Sequence, residues 1–426
     1  MRPTRPGSEA SSIHVAPDAS PLVRKLAQKS ETNFLPLVLD TFSQVLKVDG
    51  IYSSTARTDR SGAWEHWQRN GMDARQTGVH RTALQYGVSY LTVLPGDTGP
   101  VMRGRSPRSM TALYQDPADD DWPMQALDVD RSLLKLYDET HVYFIGHENK
   151  PASGLASLSP QLPSYRDLHY IEARRHDVGV TPIVRFRDRM LLDGEEQYGL
   201  VEPLLKIQER INQTTFEMLV AQYFAAFRQR YVIGWVPKSE QERLKASAST
   251  MWTFDKDPDK MKLGEFEVTP LTPYIESKKS GLYDLAAIAQ VPAQNLGVDA
   301  LSNISAEALA ALEAGKDRKA DEISTSFGES WELALRTCAA LAGDRVTAED
   351  FGSEVRWKDA TARSFAQTVD GLGKLATMLD VPKTLLWEDV PGWSSTRVER
   401  ARQLRAREQT DLLAAMGSDL GYAPPG

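Results

Sequence analysis

The residues with the greatest potential for acid–base or metal chemistry are the seven histidines, and all of them lie at or before His176. Neither His141 with His147 nor His169 with His176 has the spacing of zinc ligands. Ser89, in "GVSYL", lacks the second glycine of the G-x-S-x-G nucleophile elbow and lies where a strand should start. We therefore interpret the histidines as core or surface residues and Ser89 as part of a strand.

A glycine-rich stretch, "GLGKLA" at Gly371–Ala376, formally matches the G-x-G-x-x-A pattern of dinucleotide-binding loops. Such a loop requires a strand immediately before it and an acidic residue about 20 positions later. The preceding "ARSFAQTVD" has a helical pattern instead. An enzyme that binds a cofactor through the Gly371 region is therefore the weaker alternative, and a strand before Gly371 would favour it.

The other reactive or charged groups also fit structural roles. Cys338 is the single cysteine, so no disulfide can form within the chain, and its apolar helical setting predicts a buried thiol. The acidic run "DPADDD" at 116–121 lacks the alternation and the glycine of a calcium loop, and it predicts a solvated turn. We expect that the protein is not an enzyme and that it uses no cofactor and no metal ion.

The bulk composition restricts the partners. The chain has 426 residues and a net charge of −8, and 41 % of its residues are apolar, which is enough for two or three domains or one elongated subunit. The acidic balance argues against a basic surface over the whole chain, although a local basic patch or a surface that surrounds DNA stays possible. No stretch approaches the roughly 18–20 apolar residues of a membrane helix, so we expect no membrane partner. Residues 1–30 lack the apolar segment of a secretory signal and predict a flexible tail.

The first half of the chain alternates helix and strand patterns. Residues 31–48 have an amphipathic helical pattern, and a second helical pattern from Trp64 ends at Gly87, a candidate C-cap. "VSYLTVLPGD" predicts a strand that enters a turn, and "SLLKLYDETHVYFIG" predicts a hairpin with its turn at Asp138–Thr140. Two more short strands are predicted on either side of Gly179.

From Tyr198 onwards the pattern is mainly helical. A helix of about 27 residues would carry two apolar stripes, which predicts that it is covered on two sides. One stripe contains Leu204, Ile207, Ile211 and Met218, and the other contains Phe216, Leu219, Tyr223 and Phe227. Short strands are predicted within 231–276 and a helix over 281–290. "SEVRWKDA" predicts a returning strand, and two helical patterns follow it.

The stretch "IAQVPAQNLGVDALSNISAEAL" at 288–309 interrupts these helices. Pro292 should end the first helix, because it has no backbone N–H and disfavours helical backbone at Val291. Ser305 is a candidate N-cap for a helix that would run to about Leu341, with Gly315 and Gly328 as bend points. On this pattern alone, a mobile functional loop and an ordinary helix–helix connection are both open.

Five stretches share their order and spacing with one protein family. They are "TNFLPLVLDTFSQVLKVDGI", "VHRTALQYGVSYLTV", "HDVGVTPIVRFRDR", "LKIQERINQTTFEMLVAQYFAAFRQRYVIG" and "IAQVPAQNLGVDALSNISAEALAALEA". In this order they resemble the portal proteins of long-tailed double-stranded DNA bacteriophages, particularly those that infect actinobacteria. The resemblance extends from about Thr32 to Thr396. Asp188 stands where that family usually has Asn, and Arg228 where it usually has Pro.

The resemblance implies an α+β, predominantly helical fold. It would be an elongated portal fold with wing, stem, clip and small crown, assembling into a ring that usually has twelve subunits. The implied divisions are a flexible tail over 1–30, the wing over 31–197, stem helices over 198–229 and 276–290, the clip over 230–275, the tunnel loop over 291–304, a long kinked helix over 305–344, a return to the wing over 345–395, and a short crown or C-terminal helix over 396–426.

The resemblance also implies a function, that of a head-to-tail connector at one capsid vertex through which DNA is packaged and ejected. The implied partners are further copies of the chain, double-stranded DNA bound without sequence specificity, the large terminase, the major capsid and scaffolding proteins, and head–tail adaptors. The protein would lie at the portal vertex of the virion, and in the host cytoplasm during assembly. The alternative is another structural virion component, such as a minor head protein without a channel.

Three sets of site residues follow from this scheme. The tunnel loop would face DNA through Ala293, Gln294, Asn295, Gly297, Asp299, Ser302 and Asn303. The candidate basic residues of the channel are Lys278, Lys279, Lys316, Arg318 and Lys319. The candidate clip contacts with terminase or adaptor are Trp235, Lys238, Trp252, Lys256 and Lys260. An acidic chain with few basic rings suits a channel through which DNA slides, because a strongly cationic wall would hold each phosphate.

Overall fold

The structure is a computed structural model that describes residues 18–53, 62–130, 133–147, 168–192, 198–226, 230–233, 262–265, 269–298, 306–358, 365–390 and 395–419, together with Ile13, Glu267, Gly392 and Trp393. These residues form helices and antiparallel sheets, so the fold is α+β, as predicted. The chain divides into two compact units. We call residues 1–40 and 200–319 the helical unit, and residues 41–199 and 320–426 the sheet unit.

The described helices account for most of the regular structure. They are α1 (Pro21–Ser30), α2 (Leu35–Val45), α3 (Gly62–Arg69), α4 (Met72–Tyr86), α5 (Leu205–Ala226), α6 (Thr272–Ala289), α7 (Ala306–Leu341), α8 (Arg345–Ala348), α9 (Phe365–Met378) and α10 (Ser395–Asp419). Short 3₁₀ helices cover Glu202–Leu204, Ala293–Leu296 and Leu386–Asp389.

The strands pair in antiparallel order. They are β1 (Val48–Tyr52), β2 (Val88–Leu94), β3 (Val101–Arg105), β4 (Met110–Leu113), β5 (Gln125–Val129), β6 (Leu133–Tyr137), β7 (His141–His147), β8 (Leu168–Arg175), β9 (Ile183–Arg187), β10 (Arg230–Ile233), β11 (Lys262–Glu265) and β12 (Glu354–Trp357). The sheet unit contains a three-stranded sheet in the order β3-β2-β9, a five-stranded sheet in the order β4 to β8, and the pair β1-β12; β10 pairs with β11 in the helical unit.

Local chemistry accounts for the turns that the sequence predicts correctly. The turn between β6 and β7 closes because Asp138 Oδ1 accepts hydrogen bonds from the backbone N–H groups of Thr140, at 2.7 Å, and His141, at 2.6 Å. Gly87 ends α4 with φ at 81° and donates its N–H to the carbonyl of Ala83. An added Cβ at Gly87 would lie 2.7 Å from the backbone of Tyr198, so only glycine fits there.

The flexible tail predicted for residues 1–30 is wrong for residues 21–30, which form α1. Ser20 is the N-cap, because its hydroxyl accepts the N–H of Val23 at 3.3 Å, and Pro21 suits the first helical position. Distant contacts fix the segment after α1. The side chain of Gln208 donates to the carbonyl of Thr32 at 2.7 Å and accepts the N–H of Phe34 at 2.9 Å.

Two other helix boundaries differ from the predicted ones. The helical pattern from Trp64 to Gly87 splits into α3 and α4, because Gly71 adopts a left-handed backbone with φ at 60°. The helix predicted to start near Gly281 starts at Thr272, where Pro273 occupies the first turn and needs no hydrogen-bond acceptor.

Helices α5 and α6 pack closely within the helical unit. Arg210 on α5 forms an ion pair with Asp284 on α6. Gly281 is buried, and an added Cβ there would lie 2.9 Å from Cγ1 of Ile211. Because glycine has no side chain, Gly281 allows the two helices to approach this closely.

We expect Gly281→Val to lower the free energy of unfolding of the helical unit by about 2 kcal/mol, because the added methyl groups overlap Ile211. Urea unfolding followed by far-UV circular dichroism measures the change. Gly315→Val is the matched control, since an added Cβ at this helical glycine meets no atom within 4 Å. Equal losses in the two variants would contradict the close-packing argument.

The sheet unit has a core of five aromatic side chains, Trp67, His80, Phe186, Phe327 and Trp331, which we call the aromatic core. The Trp331 ring makes edge contacts with Trp67, at a centroid distance of 4.8 Å, and with Phe186, at 4.7 Å. Its Nε1–H donates to Nε2 of His80 at 2.8 Å, while Nδ1 of His80 lies 3.1 Å from the Leu46 carbonyl. Burial lowers the pKa of His80 to about 4, so this histidine is neutral and holds its place in the core.

Candidate functional site

Helix α5 is apolar on two sides, as predicted, and its own unit covers one of them more completely than the other. Leu204 and the α5 residues Gln208, Ile211, Asn212 and Thr215 are buried. The predicted second stripe contains Phe216 and Tyr223, and Val220, which the prediction did not include, lies between them at i+4; all three are only half-buried. The predicted stripe residues Ile207, Met218 and Leu219 are half-buried as well, and Phe227 lies outside the described residues.

Helix α6 ends where the tunnel loop was predicted to start. Gln290 takes a left-handed backbone with φ at 58°, and its N–H caps the carbonyls of Ala286 and Ala287. The Val291 N–H then donates to the Ala286 carbonyl at 3.0 Å. Helix α6 therefore ends at Ala289, three residues before Pro292, the residue that was predicted to end it.

The first half of the predicted tunnel loop is folded. Ala293, Gln294 and Asn295 lie in a 3₁₀ helix and are half-buried, and Gly297 closes it with φ at 79°. Three apolar side chains attach the segment to the helical unit; Val291, Leu296 and Val298 are each at most 6 % exposed. We call residues 291–298 the anchor segment. Asp299, Ser302 and Asn303 lie outside the described residues.

Lys316 and Lys319 are held by polar groups of the helical unit. Lys316 pairs with Glu313 and, at 3.4 Å, with Asp317. Burial alone would lower the pKa of Lys316, but these acidic partners raise it above the ordinary value. Lys319 donates to the Ala289 carbonyl at 3.2 Å, where its charge also complements the negative C-terminal end of α6.

The other candidate basic residues are more accessible. Lys279 and Arg318 are exposed, Lys278 is half-buried, and Nζ of Lys279 lies 5.7 Å from the centre of the Tyr283 ring. All five predicted clip contacts, Trp235, Lys238, Trp252, Lys256 and Lys260, lie outside the described residues.

The residues whose types suggested catalysis have structural roles. Ser89 lies in β2, as predicted, and its hydroxyl donates to the Val79 carbonyl at 2.9 Å. Gly371 lies inside α9, so the helical interpretation of "GLGKLA" is confirmed. The residues from Phe365 to Asp370 are helical too, whereas the enzyme alternative requires a strand immediately before Gly371. Cys338 is buried, as predicted, and burial raises its pKa to about 12.

Neither a metal cluster nor a membrane helix is found in the described part of the chain. Within it, no group of three or more histidine, cysteine, aspartate or glutamate side chains is arranged to hold a metal ion. Nor does any described helix have the length and apolar content needed to cross a membrane.

Sequence reasoning missed a charged cavity of about 370 Å³ in the sheet unit. Arg185 and Arg187 on β9 form part of its lining, and they face the same side of the strand because side chains at i and i+2 do. The alternation in "IVRFR" could have revealed this pair. The acidic run at 116–121 supplies Asp120 and Asp121 to the same cavity.

Comparison with known proteins gives one consistent result. Residues 16–411 match the family described as phage portal protein, SPP1 Gp6-like. The chain is 22 % identical over 361 residues to a portal protein of Mycobacterium phage L5, covering 80 % of this chain and 71 % of that protein. It is 24 % identical over 414 residues to a portal protein of Mycobacterium phage D29, covering 91 % and 81 % of the two chains.

A solved structure shares the fold. A chain from the neck of an empty gene transfer agent (GTA) particle, computed with C6 symmetry, superposes with a TM-score of 0.51 at 12 % identity, and the match covers 84 % of this chain and 88 % of that one. At this level of identity, the likeness concerns the fold.

Proposed function

The chain belongs to the SPP1 Gp6-like family of phage portal proteins, and from that premise we propose that it forms a ring at one capsid vertex. The ring would be the channel through which double-stranded DNA is packaged and later ejected. It would also be the docking site, first for the large terminase and then for head–tail adaptors. The fold shared with a chain from a particle neck of sixfold symmetry supports a rotationally symmetric assembly.

The observation that carries the ring proposal is the second apolar stripe of α5. Phe216, Val220 and Tyr223 form a continuous helical stripe that the described residues of the chain leave half-exposed. Burial of apolar area contributes about 25 cal/mol per Å², so covering this stripe with a neighbouring subunit would stabilise the contact between the two subunits. We assign the stripe to the contact between adjacent subunits. A closed ring repeats one head-to-tail interface, so every subunit presents the same stripe to its neighbour.

Within the ring, we assign α5 and α6 to the stem around the channel and residues 291–304 to the loop that faces DNA. Lys278, Lys279 and Arg318 are the candidate basic contacts. Lys316 and Lys319 fit a different role, since their partners are Glu313 and the end of α6. A few cations in an acidic protein would centre the DNA without holding every phosphate. The wing, clip and crown divisions and the capsid and scaffolding partners are part of the same proposal.

Electron microscopy of the purified full chain tests the ring. We expect negative-stain images of rings with a central hole. Val220→Glu should shift the protein to single subunits, because burying an unpaired carboxylate in the subunit contact is unfavourable. Its circular dichroism spectrum should match the wild type, since Val220 is only half-buried within one chain.

Glu217→Gln is the matched control for the ring test. Glu217 lies on the same helix but is exposed and hydrogen-bonded to Gln213 at 2.8 Å, so rings should persist in this variant. Compact monomers of the wild-type chain would contradict the ring and favour a virion component without a channel.

A further inference from the structure

The charged cavity of the sheet unit is built from three pieces of chain. Strand β9 and the residues after it supply arginines, the acidic run supplies carboxylates, and α7 supplies one side of the cavity. The lining residues used below are Asp121, Arg185, Arg187, Glu322, Glu329 and Arg336.

Arg187 is a buried cation without a carboxylate partner among the described residues. It is 8 % exposed, and its Nη1 donates to the backbone carbonyls of Pro117, at 3.3 Å, and Ala118, at 3.1 Å. Carbonyl groups orient the guanidinium, and the carboxylates of Asp121 and Asp119 offset its positive charge only in part, without pairing with it. Burial, together with the neighbouring Arg185, lowers the pKa of Arg187, as expected for a cation whose surroundings disfavour charge.

Arg185 is fixed in a similar way. Its Nη2 donates to the Asp120 carbonyl at 3.0 Å, and its guanidinium carbon lies 3.9 Å from the centre of the Tyr114 ring. By contrast, Arg105 in the same unit pairs with Asp128 at 2.9 Å. Arg185 and Arg187 are thus held in place by neutral groups, side by side, at the wall of a cavity.

Three of the four carboxylates that line the cavity lie towards solvent, and the fourth, Asp120, is half-buried and accepts the backbone N–H of Asp116 at 2.7 Å. Asp121, Glu322 and Glu329 are exposed, whereas Arg187 is buried. The buried charge of Arg187 is therefore positive, and three of the four acidic charges lie nearer to solvent. A polyanion such as DNA would be repelled by the outer acids, but a small ligand could place one anionic group against the arginines. The volume of about 370 Å³ falls in the range of small-molecule sites.

We propose that this cavity binds a small molecule through a single oxyanion group, a phosphate or a carboxylate. Arg185 and Arg187 would hold the oxyanion, since guanidinium groups match the geometry of both groups. Arg336, over the Phe351 ring at 5.0 Å, would add a third cation from α7. Binding at this cavity does not require ring formation, because every contributing residue lies in the sheet unit of one chain.

Titration of the full chain with inorganic phosphate tests the site. Phosphorus NMR line broadening, at an ionic strength held constant with sodium chloride, should show saturable binding. Arg336→Gln should raise the apparent Kd for phosphate roughly fivefold, because it removes a positive charge from the cavity. Glu329→Gln should lower this Kd about twofold, because it removes a negative charge. These variants leave Arg187 and the turn that it holds intact, so the test does not depend on a variant that unfolds.

Arg345→Gln is the control, since Arg345 is exposed, pairs with Glu349 and does not line the cavity. Its phosphate affinity should equal that of the wild type. Displacement of phosphate by acetate at equal ionic strength would identify the site as one for either oxyanion, and lack of displacement would identify it as phosphate-selective. Absence of saturable binding, equal responses of the Arg336 and Arg345 variants, or displacement by a short DNA duplex would overturn the proposal.

Discussion

Replacing Trp331 with alanine should lower the free energy of unfolding of the sheet unit by about 5 kcal/mol. Trp331 is fully buried and contacts Trp67 and Phe186 through its ring. Its removal leaves a cavity in the aromatic core and also leaves Nε2 of buried His80 without its donor. A loss of this size is comparable to the whole stability of many domains. Hydrogen exchange of the amides in α4 and β9 measures it.

Trp331→Phe separates the two causes. Phenylalanine keeps an aromatic ring between Trp67 and Phe186 but has no N–H for His80. We expect a loss of about 2 kcal/mol, of which the unsatisfied histidine nitrogen is a main part. If the phenylalanine variant lost as much stability as the alanine variant, the ring contacts would not be the dominant contribution.

Much of the fold could be predicted from local chemistry. The hairpin at Asp138 and the C-cap at Gly87 both depend on residues within a few positions of the feature. The strand "EVRW" was also predicted, and as β12 it pairs antiparallel with β1, the first strand of the sheet unit.

Features that depend on distant contacts could not be predicted. The helical pattern over 31–48 predicted a helix at 31–34, but α2 starts only at Leu35, and Gln208 fixes the preceding segment from a position 176 residues away. The partner of Lys319, the Ala289 carbonyl, is brought near only by the fold. The same is true of Arg187, whose sequence neighbours give no sign that it is buried beside the acidic run.

The first part of the predicted tunnel loop is packed into the helical unit, and this affects how the loop can be tested. The sequence treats residues 291–304 as one loop, but Leu296 and Val298 in the anchor segment are buried. A deletion from Gln294 to Ser302 would remove both of these side chains along with the residues proposed to face DNA. Its effect on packaging would therefore combine damage to the helical unit with loss of a DNA contact.

Replacing Asp299–Asn303 with two glycines should abolish DNA packaging while rings still assemble. The variant keeps the anchor segment and shortens only the part that we propose projects towards DNA. DNA protected from nuclease in assembled particles measures packaging, and negative-stain images measure assembly. Leu296→Asp is the contrasting variant, since a buried carboxylate in the anchor segment should reduce folding and assembly together. Normal packaging by the shortened variant would show that residues 299–303 merely connect α6 and α7.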